Sequence, residues 1–149
     1  MHPPVVLVVD DDEAIRNTAR SILEDEGYAV ELASNGAEAL THLQTSSPPE
    51  LLLLDLMMPV MNGLALLREL EAHTELATIP VVIMTAASVS LETSSLRYPI
   101  LRKPFKLDTL LEFVTSYAPW PWDDDEVTEQ SVGDKSVTPL TDISRRLTE

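Results

Sequence analysis

A doubly wound α/β fold, five parallel strands with helices on both faces, is predicted here by two patterns and their consequence. Strand-like runs alternate with helical stripes five times in about 118 residues. The runs VVLVV, LLLLD and VVIMT are apolar throughout rather than at every second position, so both of their faces must be covered. Crossovers between parallel strands are right-handed, which leaves helices on both sides of one sheet as the natural arrangement.

Each element has its own signal. Residues 4–10 read as a buried strand that stops at three aspartates. Residues 13–26 carry Ile15, Ala19, Ile22 and Leu23 as a helical stripe, and Gly27 is placed to end that helix. Residues 28–33 read as the second strand. Ser34 is read as the cap of a helix running to about Gln44, with Ala37, Leu40 and Leu43 or their neighbours inward. SSPPE is a loop, and 51–55 is the third strand. The turn-rich stretch 58–63 precedes a helix over 64–72, and IPVVIMT (79–85) is the fourth strand. YPILRKP supplies a short fifth strand. Residues 106–117 form a last helix with Leu107, Leu110, Leu111 and Val114 on one side.

Composition excludes several kinds of chemistry. There is no cysteine, so disulfides, thiolate metal sites and cysteine nucleophiles are ruled out. No run approaches the roughly 18 apolar residues of a membrane span, so membrane insertion is not expected and a cytoplasmic protein is the default. The net charge is −15, from 25 acidic and 10 basic residues, which disfavours direct nucleic-acid binding. His2, His42 and His73 lack ligand spacing and are expected at the surface. Met57, Met58 and Met61 are expected to pack against a core rather than bind a soft metal.

In doubly wound sheets, sites form at the carboxyl ends of the strands. Here those ends carry Asp10, Asp11 and Asp12, then Asp55, Thr85 and Lys103. Like charges this close repel, so converging carboxylates call for a cation, and oxygen ligands alone suit Mg²⁺ (or Mn²⁺). Asp12 is assigned instead to capping the first helix. Asp55, ending a central strand, is placed to act as a carboxylate nucleophile that becomes an aspartyl phosphate. Phosphoryl transfer is mostly positioning and charge neutralisation. The Lys103 ammonium and the Thr85 hydroxyl are suited to two phosphoryl oxygens, and the metal to the third.

The stretches VVDDD, LLLLDLMMPVMNG, VVIMTAA and LRKPF resemble the receiver domain of two-component response regulators over residues 4–118. The spacings agree: Asp11 to Asp55 is 44 residues and Asp55 to Thr85 is 30. The resemblance implies a CheY-like, flavodoxin-like sheet of order 2-1-3-4-5. It implies Asp55 as phosphoacceptor, Asp10, Asp11 and Asp55 with the Met57 backbone carbonyl as Mg²⁺ ligands, and a cis Lys103–Pro104 bond. A sensor histidine kinase or a histidine phosphotransfer protein would donate the phosphoryl group. Such a domain catalyses only its own phosphorylation and dephosphorylation, so it is not a turnover enzyme, and it signals through contacts with a downstream protein.

Two positions depart from that pattern. Thr85 to Lys103 is only 18 residues, so the helix between the fourth and fifth strands is expected to be short or irregular. Ile100 stands where the family often has an aromatic switch, and Tyr98 is read as lying on the opposite side of the strand. A receiver-shaped binding module that works without phosphorylation is therefore the alternative. A flavodoxin-type cofactor binder lacks its positive phosphate loop here, and a haloacid-dehalogenase-like hydrolase would need an aspartate where Met57 stands. Residues 119–149, with charge −5, read as an acidic, disordered tail. Trp120 and Trp122 in PWPWDDDE resemble a short docking segment or, equally, a loose tail. That tail is too poor in apolar residues for an output domain, so the chain reads as a stand-alone receiver or part of a longer protein.

Overall fold

The computed structural model describes residues 2–86 and 98–119, which belong to one compact unit. Five strands form one parallel sheet of order β2-β1-β3-β4-β5. They are β1 (Val5–Val9), β2 (Ala29–Ala33), β3 (Leu51–Asp55), β4 (Val81–Thr85) and β5 (Ile100–Arg102). The described helices are α1 (Glu13–Asp25), α2 (Gly36–Thr45), α3 (Gly63–Ala72) and α4 (Leu107–Tyr117). The helix expected between β4 and β5, and the tail with Trp120 and Trp122, fall outside the described residues.

The fully buried runs behave as their composition demands, since all five residues of β3 and all five of β4 are buried. Alternation along each strand divides the core into two layers. Leu7, Val9, Leu52, Leu54, Val81 and Ile83 pack with Ala39 and Leu43 of α2 and Leu66, Leu67 and Leu70 of α3. Val6, Val8, Leu53, Val82 and Met84 face the other way; α1, which buries Ala19 and Leu23, and α4, which buries Leu110 and Val114, are neighbours there.

Several local expectations are corrected. The cap of α2 is Asn35, not Ser34: the Asn35 side chain accepts from the Glu38 amide at 2.8 Å. The Glu38 carboxylate engages both the amide and the hydroxyl of Ser34, so Ser34 is left one residue outside the helix. Leu107 is 52% exposed because it opens α4 at the solvent edge, so the apolar side of that helix starts at Leu110. His42 is half-buried rather than on the open surface, with Nε2 at 2.5 Å from Glu31 Oε1 on the edge strand β2. Tyr28 precedes β2 and is buried, with its hydroxyl donating to the Ala118 carbonyl at 2.8 Å. Asn62 caps α3, which begins one residue early at Gly63, and Gly27, at φ 96°, follows α1 as anticipated.

Candidate metal and phosphoacceptor site

Strand register builds the site. Val9 pairs with Leu54, so Asp10, the next residue, arrives level with Asp55. Asp55 pairs with Met84, and Thr85 with Arg102, which brings the ends of β4 and β5 to the same edge. Asp10, Asp55 and Thr85 are the buried polar or charged side chains among the described residues. Asp11 is exposed at the mouth. Carboxylate oxygens of Asp10, Asp11 and Asp55 lie within 4.8 Å of one another.

Lys103, the residue after β5, brings one positive charge to this cluster. Its Nζ stands 2.6 Å from Asp10 Oδ2 and 3.6 Å from Asp55 Oδ2. The Lys103 backbone is fixed by its amide, which donates to the Thr85 carbonyl at 2.9 Å, and the Lys103–Pro104 bond is cis. Burial works against the ammonium, but the Asp10 and Asp55 carboxylates outweigh it and hold its pKa above the ordinary lysine value. The Asp55 pKa is also raised, to about 6, first by burial and then by the Asp10 charge, so here it is the charged form that is disfavoured. Lys103 and the Met57 amide (3.3 Å from Asp55 Oδ1) only partly offset that rise, to which the Asp11 charge adds.

The residues present fit a hard divalent cation. The donor set is entirely oxygen, and Asp10 Oδ2 is fully buried without a hydrogen bond of regular geometry, its charge met by the ammonium contact alone. Three carboxylates against one ammonium leave the site negative. Asp12, outside this set, caps α1 by accepting from the Ala14 amide at 2.9 Å.

The β3–α3 loop shapes the rim. Met57 is 72% exposed and Val60 84% exposed, while Met58 is buried. Leu56, Met57, Met58, Pro59 and Asn62 line an open depression of about 320 Å³. The loop is pinned at two glycines: the Gly36 amide donates to Met61 O at 2.9 Å and the Gly63 amide to Leu56 O at 3.1 Å. A Cβ on Gly36 would sit 2.6 Å from Met61 O, and one on Gly63 2.5 Å from Asp55 O.

Tyr98 is two residues from Ile100, so it shares that residue's side rather than the opposite one. Both pack against the α2–α3 layer, and the reading of opposite parity is corrected accordingly. The Tyr98 hydroxyl donates to Glu71 of α3 at 2.8 Å. Sequence reasoning missed Arg16, whose Nη1 donates to the Asp10 carbonyl at 2.7 Å; nothing in an apolar helical stripe singles out a half-buried arginine beside it. It also missed Gly36 and Gly63 as contact points, although both follow an asparagine at a helix start.

A buried acid pair, a third acid at the mouth and a lysine thus meet on one edge of a 2-1-3-4-5 parallel sheet. The response regulator receiver domain family model matches residues 6–115, and the chain belongs to that family, the signalling domains of two-component systems whose general function is to accept a phosphoryl group. Response regulator MprA of Mycobacterium avium (strain 104) is 37% identical over 142 residues, covering 91% of this chain and 61% of that protein. MprA of Mycobacterium tuberculosis (strain ATCC 25177 / H37Ra) is 42% identical over 110 residues, covering 71% and 46%. The chain thus spans less than two thirds of the length of the curated relatives it matches. Chemotaxis protein CheY4 of Vibrio cholerae superposes with a TM-score of 0.71 at 30% identity, covering 77% of this chain and 98% of that one. The receiver domain of a signal transduction histidine kinase from Syntrophus aciditrophicus gives 0.70 at 30% identity, covering 92% and 98%. No described helix is long and apolar enough to cross a membrane.

Proposed function

We propose that Asp55 accepts a phosphoryl group from a phosphohistidine on a sensor histidine kinase or a histidine phosphotransfer protein, in a Mg²⁺-dependent reaction. The observation that carries this reading is the convergence of three carboxylates within 4.8 Å, two of them, Asp10 and Asp55, sharing one ammonium. Asp10, Asp11, Asp55 and the Met57 carbonyl would hold the ion. When bound, Mg²⁺ supplies Lewis-acid neutralisation of a phosphoryl oxygen.

The remaining work falls to the chain's own residues. An Asp55 carboxylate oxygen attacks phosphorus in line, an O–P bond forms as the N–P bond of the donor breaks, and the imidazole leaves with the electron pair. Lys103 trades its contact with Asp10 for a phosphoryl oxygen, and the buried Thr85 hydroxyl donates to another. The elevated pKa of Asp55 marks how poorly its buried, acid-rich surroundings tolerate its charge, so adding cations there is favourable.

Output through protein contacts fits the exposed apolar rim of Met57 and Val60, and the net charge of −15 disfavours direct contact of this chain with nucleic acid. The domain modifies itself and has no multiple-turnover substrate. A soluble, cytoplasmic setting fits that partnership.

The test is intact mass after incubation with acetyl phosphate, with Mg²⁺, with EDTA, and with Asp55→Ala, repeated with a phosphorylated histidine phosphotransfer protein. One added phosphoryl group that requires both Mg²⁺ and Asp55 is expected. No adduct from either donor, together with no Mg²⁺ binding, would sink the reading.

A further inference from the structure

The loop that carries Asp10 and Asp11 is held at both backbone and side-chain atoms. The Asp10 amide still belongs to the sheet, donating to Ala33 O at 3.1 Å. Its carbonyl lies beyond the last residue of β1 and is taken by Arg16 Nη1 at 2.7 Å. Asp10 Oδ1 accepts from the Asp12 amide at 2.9 Å, and Asp12 caps α1. Asp11 therefore sits between two peptide groups, one held at its carbonyl by Arg16 and the next held at its amide by Asp10.

The Arg16 guanidinium reaches a carbonyl rather than a carboxylate. A second cation thus stands beside an acid-rich site without occupying the oxygens a metal would need. Its backbone amide bonds Asp12 O at 3.0 Å, so the side chain folds back from the first turn of α1 onto the loop that starts that helix. We propose that Arg16 is a positioning residue: by clamping the Asp10 carbonyl it orients the Asp10–Asp11 peptide so that both carboxylates converge with Asp55 on one cation. This rests on the metal reading given above.

Charge and position make opposite predictions for this residue. Removing a cation near a metal site, by itself, tightens cation binding. Losing the clamp loosens it, and partners that orient ligands change metal affinity by about 10-fold or more when removed. The experiment is a Mn²⁺ titration of the full chain, followed by the electron paramagnetic resonance signal of the free ion. It compares wild type, Arg16→Met, Arg16→Lys and an Asp11→Asn control.

Weaker binding by about 10-fold in Arg16→Met, largely restored in Arg16→Lys, is expected. Binding in Arg16→Met as tight as wild type or tighter overturns the proposal, as does Arg16→Lys binding no better than Arg16→Met. Should Arg16→Met fail to give a cooperative melt, Arg16→Leu, which also lacks a donor, takes its place under the same criteria. Wild type showing no Mn²⁺ binding that depends on Asp11 overturns the metal reading and this inference together. Binding that depends on Asp11 but is indifferent to Arg16 overturns only the inference.

Discussion

Asp55 is held at the end of a central strand at a cost to stability. Its folded pKa of about 6 exceeds the ordinary value of 3.8, so between those values the folded protein binds the extra proton. Stability from this group is therefore highest below pH 4, falls as the pH rises toward 6, and above that the full cost remains. At 1.36 kcal/mol per pKa unit the cost is on the order of 3 kcal/mol. Asp55→Asn in EDTA should raise urea-unfolding stability by about that much at pH 7.5, with the gain fading toward pH 4. A gain that does not vary with pH would mean the carboxyl titrates normally. Val60 is a second residue under strain: a β-branched side chain at φ 70° occupies the left-handed region. Val60→Asn should stabilise by about 1 kcal/mol, read as a higher urea midpoint at unchanged slope. No gain would show that the loop pays nothing for this conformation.

At the scale of elements, helix starts and the loop after β3 are built as one assembly. Asn35 and Asn62 each cap a helix, and each is followed by a glycine against which the loop is pressed. Gly63→Ala forces a methyl group against backbone atoms of Asp55 and Leu56, neither of which is a flexible side-chain end. Such overpacking should cost about 2–3 kcal/mol, seen as a lowered urea midpoint, and should weaken metal binding because Asp55 itself must shift. Normal stability in Gly63→Ala would contradict the close approach. Element positions were largely legible in the sequence, because buried parallel strands write themselves as unbroken apolar runs and helices as stripes. The misread features were local competitions: Ser34 and Asn35 are both eligible caps, and only the reach of Glu38 decides between them. Periodicity puts Leu107 inside because it counts residues and does not see where a helix meets solvent.

At the scale of the described fold, its C-terminal end is tied back to the start of β2 by Tyr28, whose hydroxyl crosses to the carbonyl of Ala118 just past α4. Tyr28→Phe leaves that buried carbonyl without this donor and should cost about 1–2 kcal/mol in urea unfolding, with fold and metal binding retained. No loss would show the contact to be replaceable by water. The site, too, is a product of the whole sheet. Asp10, Asp55, Thr85 and Lys103 were legible as strand-end residues because the rule for doubly wound sheets depends on order along the chain, not on distance. Sequence alone determined the α/β class, the family and the set of chemical groups, since these follow from apolar periodicity and residue identity. Tertiary structure alone decided the strand register that levels Asp10 with Asp55, the Lys103 ammonium lodged between them, the raised pKa of Asp55 and the Arg16 clamp. Each of these depends on separations of a few ångströms between residues distant in sequence, and electrostatic and hydrogen-bond energies change steeply over that range.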